Sequence, residues 1–182
     1  MMSPKTKKLV QTGMLSAIAA VLFYFPEFPL AFLGIAPWLK IDFSLVPVMI
    51  GGFSLGPLAG IVIIAIKDIV GLLHSTSGGI GEIADAMMSL AYMLPCIWLY
   101  YRHKTRGRAL LGMGAGTLAM TAAALPLNQF ILVPLYMGAM GLELDVAKYL
   151  WLSVLPFNLV KGAVVSLVTF LLYKRLRNVN II

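Results

Sequence analysis

Apolar runs as long as a bilayer is thick, separated by short breaks rich in Lys and Arg, constrain this chain more than any other feature. The longest spread from Ala109 to Met137 and from Lys148 to Tyr173, and about 20 largely apolar residues are enough to cross a membrane as a helix. Charged residues make up 12% of the sequence, against about 25% in an ordinary soluble domain. A soluble single-domain enzyme is therefore excluded. The blocks are continuous rather than alternating, which also excludes an outer-membrane barrel. The 182 residues suffice for five to seven crossings and leave nothing for a catalytic domain outside the membrane.

Six blocks are discernible. The first, Leu9 to Phe25, follows Lys5, Lys7 and Lys8, as a secretory signal would. The bulky Tyr24-Phe25-Pro26-Glu27-Phe28-Pro29 that follows is unlike a cleavage site, so a retained helix is expected, with a cleaved signal as the alternative. Residues 26–42 hold Pro26, Pro29, Pro37 and Trp38 and form a long loop of the kind often used as a lid, with Trp38, Leu39 and Lys40 as its candidate closing residues. A short second block spans 43–53 and must tilt or extend to cross. The third runs over 57–74, opened by Gly56-Pro57. A glycine-rich turn (75–81) leads to the fourth over 82–101, the basic break 102–108 to the fifth over 109–137, and the sixth covers 148–173. The expected fold is a single all-α transmembrane domain with six crossings.

Lys and Arg in short flanks are retained in the cytoplasm. Lys5, Lys7, Lys8, Arg102, Lys104, Arg106, Arg108, Lys174, Arg175 and Arg177 fall on one side, and only Lys40 and Lys148 on the other. Both termini are thus expected in the cytoplasm, with the loops around Trp38, Gly78 and Gly141 outside. Topology accounts for the net charge of +7, and nucleic acid is not needed to explain it. The single cysteine, Cys96, permits no intrachain disulfide.

Lys67, Asp68, Glu82, Asp85 and Lys161 remain within or at the edge of predicted spans. A charge at mid-span costs about 2.5–3.5 kcal/mol on insertion scales, so these side chains should face one another or an aqueous cavity. Asn158 and Lys161 share a helical face, as do Glu82 and Asp85, and Asn128 lies on the fifth helix. Together they permit one polar pocket opening outward. Plainer readings stand beside this one: Lys67-Asp68 as a neutralised pair, Glu82 as a helix cap, Asn128 as an interhelical hydrogen bond. Lys161 is hardest to explain without a functional role. His74 and His103 lack partners at metal-ligand spacing, and no metal site is expected.

Small residues recur at four-residue spacing as Gly13/Ala17, Ser16/Ala20, Gly56/Gly60 and Gly112/Gly116, allowing close helix approach within the fold or to another subunit. No phosphate loop, His-Glu-x-x-His or Gly-x-Ser-x-Gly motif is present, so the chain does not hydrolyse ATP itself and has no visible catalytic residues.

The segments Leu39-Lys40-Ile41-Asp42-Phe43-Ser44, Gly51 to Gly60 and Ser75 to Glu82 resemble substrate-binding S-components of energy-coupling factor (ECF) vitamin transporters. Leu127 to Tyr136 and Asn158-Leu159-Val160-Lys161-Gly162 are similar to the riboflavin-specific branch. The resemblance spans essentially the whole chain. It implies a multi-pass protein of the prokaryotic plasma membrane that captures riboflavin without a cofactor. It also implies association with a transmembrane coupling subunit bearing two cytoplasmic ATPases. Glu82, Asn128, Asn158 and Lys161 would hydrogen-bond the vitamin, and Gly13, Ser16, Ala17 and Ala20 would contact the coupling subunit, with Gly and Ser where the family has alanine. Flavin mononucleotide (FMN) shares ring and tail, but its phosphate is costly to desolvate. The competing expectations are another vitamin, or an intramembrane enzyme using Glu82, Asp85 or Lys161 as acid or base.

Overall fold

The computed structural model describes residues 3–29, 39–75, 77–141, 143 and 145–178. Helix α1 (Pro4–Tyr24) begins ahead of the apolar run, because Ser3 accepts a hydrogen bond from the Thr6 amide and Pro4 occupies the first turn, where its missing N–H costs nothing. Two short strands follow, β1 (Phe28–Pro29) and β2 (Lys40–Ile41), paired antiparallel with Phe28 opposite Ile41. They close the base of the loop that contains Trp38, a residue outside the described set.

Helix α2 (Leu45–Leu55) is buried at every position from Leu45 to Phe53. A helix apolar on all faces belongs inside: the second block is short and uniformly hydrophobic because protein surrounds it. Gly56 ends α2 and starts α3 (Pro57–Leu72) with a φ of 103°, a conformation that glycine adopts without steric cost.

Helix α4 (Ile80–His103) and α5 (Arg106–Leu127) are joined by only Lys104 and Thr105 and pack as an antiparallel pair. A Cβ on Gly112 would lie 2.6 Å from the Cys96 carbonyl oxygen, and one on Gly116 would lie 2.5 Å from that of Tyr92. This small-residue pair therefore serves the fold itself. Gly60 likewise faces Met93, whereas Gly13 meets nothing within 4 Å.

The last two rods are each interrupted by a π-helical turn. Asn128–Leu132 links α5 to α6 (Val133–Met140), and Leu150–Val154 links the short α7 (Val146–Tyr149) to α8 (Leu155–Asn178). A proline clashes with the carbonyl four residues before it. For Pro134 and Pro156 those carbonyls belong to Phe130 and Leu152, the middle residues of the two widened turns. The amides just ahead of these prolines bond five residues back instead, Val133 to Asn128 and Leu155 to Leu150.

Three rods, Ile80–His103, Arg106–Ala139 and Val146–Tyr173, are long and apolar enough to cross a membrane. Polarity is inverted relative to a soluble protein: Lys67, Asp68, Asn128, Asn158 and Lys161 are buried, while Leu118, Trp151 and Leu167 are exposed on the outside. Such a surface is stable only in lipid.

Candidate functional site

One cavity of about 720 Å³ is lined by the C-terminal ends of α1 and α3, the start of α4, the π turn after α5, and the start of the final rod. It therefore lies at one end of the bundle. The opposite ends of the same helices carry Lys5, Lys7 and Lys8 before the span of α1, Arg102 at the end of α4 and Arg106 at the start of α5.

Glu82, Asn128, Asn158 and Lys161 all line this cavity, together with Leu39 and Lys40. The Asn128 Nδ2 donates to the Ala124 carbonyl and the Asn158 Nδ2 to the Val154 carbonyl, each 2.8 Å and one turn back. These bonds fix both amides and leave the Oδ1 atoms, which have no hydrogen bond among the described residues. Asn128 opens one π turn and Asn158 bonds back to the last residue of the other, and such turns are frequent at functional sites. Glu82 lines the cavity and reaches the start of α4 only through Ser75. Its Oε2 accepts from Ser75 Oγ at 2.8 Å, and that hydroxyl in turn accepts from the Gly79 amide, anchoring the start of α4.

Lys161 is not a free cation. Its Nζ donates to Asp85 Oδ1 at 2.7 Å and to Asp42 Oδ2 at 3.1 Å. Asp85 also accepts from Lys67, which donates to Asp68 Oδ1 at 2.7 Å. Five charges thus form one chain from α3 through α4 to α8 and Asp42, three positions ahead of α2. Lys67, with no exposed surface, is held between two carboxylates, as a buried ammonium must be. Lys67-Asp68 is consequently more than a local neutralised pair. Asp42, the last residue of the expected loop, is buried; its Oδ1 accepts from the Ser44 amide at the start of α2. Sequence reading missed this role. The available clue was the Asp-x-Ser turn ahead of an apolar helix.

Aromatic and aliphatic side chains supply the rest of the lining. Tyr24 donates its hydroxyl to the Gly71 carbonyl at 2.6 Å and meets His74 edge-on, with ring centroids 5.6 Å apart. Tyr136, Tyr149 and Phe157 complete the wall. At the mouth, Lys40 pairs with Glu27 at 2.6 Å. No cluster of three metal-ligating side chains occurs among the described residues.

The predicted contact residues of α1 divide. Gly13 and Ala17 are exposed beside Val10 and Met14. Ser16 is buried and donates to the Thr12 carbonyl, and Ala20 lines the cavity. The two four-residue pairs thus lie on different sides of the helix, and Ser16 is not available to a partner.

A helical bundle with an apolar exterior and a deep cavity of aromatic, amide and paired charged groups at one end is a membrane-embedded small-molecule-binding protein. Comparison with known proteins refines this class. Residues 7–173 match the family described as ECF transporter, substrate-specific component, and the chain belongs to that family. It is 35% identical over 178 residues to the riboflavin transporter RibU of Staphylococcus aureus, covering 96% of this chain and 92% of that protein. To the riboflavin transporter FmnP of Bacillus subtilis it is 34% identical, covering 95% and 93%. A solved S component of a bacterial ECF transporter superposes with a TM-score of 0.84 at 34% identity, covering 96% of this chain and 97% of that one. The family consists of transport components rather than enzymes, which sets aside the acid–base alternative for Glu82, Asp85 and Lys161.

Proposed function

We propose that the chain captures riboflavin in this cavity and delivers it into the cell as the substrate-specific subunit of an ECF transporter. The observation that carries the reading is the convergence of Glu82, Asn128, Asn158 and Lys161 on one cavity, alongside the riboflavin transporters to which the chain is similar over nearly its full length. Riboflavin is an uncharged flat tricycle with a polyhydroxyl tail. Tyr136, Tyr149 and Phe157 offer apolar surface to the ring, and the asparagine Oδ1 atoms accept from hydroxyl or imide N–H groups. Lys161, with two of its three donors used, has one left for a carbonyl or hydroxyl oxygen. Both buried lysines are already neutralised, so a phosphate on the ligand would find no spare buried cation. FMN binds more weakly on this account.

On this reading the chain makes six crossings with both termini in the cytoplasm and the cavity facing outward, which the basic ends opposite the cavity support. Loop residues 26–42, pinned at their base by β1, β2 and the Lys40–Glu27 pair, act as the lid with Trp38 and Leu39. The exposed Gly13/Ala17 side of α1 contacts the transmembrane coupling subunit, and two cytoplasmic ATPases supply the energy. Extraction of ligand from protein purified without added vitamin tests the substrate. Mass spectrometry should identify riboflavin; recovery of a different vitamin, with no uptake of riboflavin on addition, overturns the assignment.

A further inference from the structure

At the end of the bundle away from the cavity, a groove of about 680 Å³ opens to the outside between the start of α3 and the second half of α4. Pro57, Leu94, Pro95 and Ile97 form its apolar floor, and Trp98 and Arg102 its rim. Arg102 lies eight positions after Leu94, a length of about 12 Å along the helix at 1.5 Å per residue. The rim is organised. The Arg102 guanidinium stacks on the Trp98 ring with Cζ 3.8 Å from the centroid, and Lys104 Nζ lies 4.9 Å from the centroid of Tyr101. Tyr101 in turn donates to the Phe53 carbonyl, tying the rim to α2.

Two facts separate this rim from a merely solvated charge cluster. The sequence holds no Asp or Glu between Asp85 and Glu143, nor between Asp42 and Asp68, and neither Arg102 nor Lys104 forms a salt bridge among the described residues. Lys104 also adopts a φ of 30° at a helix end where glycine or asparagine is the favoured occupant. A basic side chain stands there despite the backbone preference, and such exceptions concentrate at sites of use.

We propose that this groove binds an acidic phospholipid, its phosphate on Arg102 and Lys104 and one acyl chain along Pro57, Leu94 and Pro95. Charge and shape select this occupant. An anionic head needs the unpaired guanidinium, whose stacking on Trp98 leaves its N–H edge free for phosphate oxygens, and only an amphiphile would also use the apolar floor. Trp98 is 58% exposed, and tryptophan is enriched at the level of lipid headgroups.

The test is native mass spectrometry of the full-length chain in detergent with equimolar phosphatidylglycerol and phosphatidylcholine. The wild type should retain phosphatidylglycerol about tenfold better, the size of one good charge-assisted contact. Arg102→Gln with Lys104→Gln should abolish that preference, while Arg106→Gln with Arg108→Gln should keep it. Arg102, Lys104 and Arg106 are exposed and Arg108 is half-buried, and none of the four forms a salt bridge among the described residues, so the fold does not depend on them. Equal retention of the two lipids by the wild type overturns the proposal. So does equal loss in both double variants, which marks diffuse attraction to a basic surface. Displacement by glycerol phosphate alone as readily as by the lipid also overturns it, because the acyl groove would then contribute nothing.

Discussion

Asp85 is the residue on which the buried charges depend, since it accepts from both Lys67 and Lys161. Removing one partner of a buried ion pair costs about 3–5 kcal/mol, because the other charge is left uncompensated. Asp85→Asn should accordingly lower the thermal midpoint of the purified protein by well over the change seen for Asn128→Ala. The latter gives up one local bond to Ala124 and should weaken flavin binding while leaving stability nearly unchanged. Flavin titration and thermal unfolding of the two variants separate these effects; equal destabilisation of both would show that Asn128 is structural. Glu82, Asn128, Asn158 and Lys161 could be read as pocket candidates from sequence because polar groups within apolar blocks have few places to go. The Lys161–Asp42 bond was not legible. It joins residues 119 positions apart, and nothing local to Asp42 reveals that its loop folds back over the final helix.

Among the helices, the small-residue pairs look alike in sequence and differ in use. Gly112 and Gly116 touch the α4 backbone, whereas Gly114, on the same helix, has nothing within 4 Å. Gly116→Ala should destabilise by about 1–3 kcal/mol through overpacking. Gly114→Ala should be neutral or stabilising by up to about 1 kcal/mol through helix propensity. Thermal unfolding of both variants checks this, and a similar loss in both would contradict the packing. Spacing alone shows that two helices can approach, not which two. The blocks themselves were legible because continuous hydrophobicity is a strong signal. The π turns were not: Pro134 marks a perturbation in the fifth block, but the widened turn ahead of it is a compromise between backbone and packing. The start of α1 was read late because Lys5, Lys7 and Lys8 interrupt the apolar pattern without interrupting the helix.

For the whole molecule, the arrangement places the cavity at one end and basic residues of α1, α4 and α5 at the other. The single cysteine, Cys96, is buried, so introduced cysteines can be labelled without background. With a membrane-impermeant maleimide on intact cells, Lys148→Cys should react and Arg106→Cys should not; the reverse pattern would invert the orientation. The most direct test of the central claim is equilibrium titration of the purified protein with riboflavin, followed by quenching of flavin fluorescence, in competition with FMN and unrelated vitamins. Saturation at one riboflavin per chain is expected. Weaker competition by FMN, none by unrelated vitamins, and a loss of affinity of about tenfold or more in Asn128→Ala and Asn158→Ala should accompany it. Absence of riboflavin binding by folded protein, or unchanged affinity in both asparagine variants, would contradict a flavin site in this cavity.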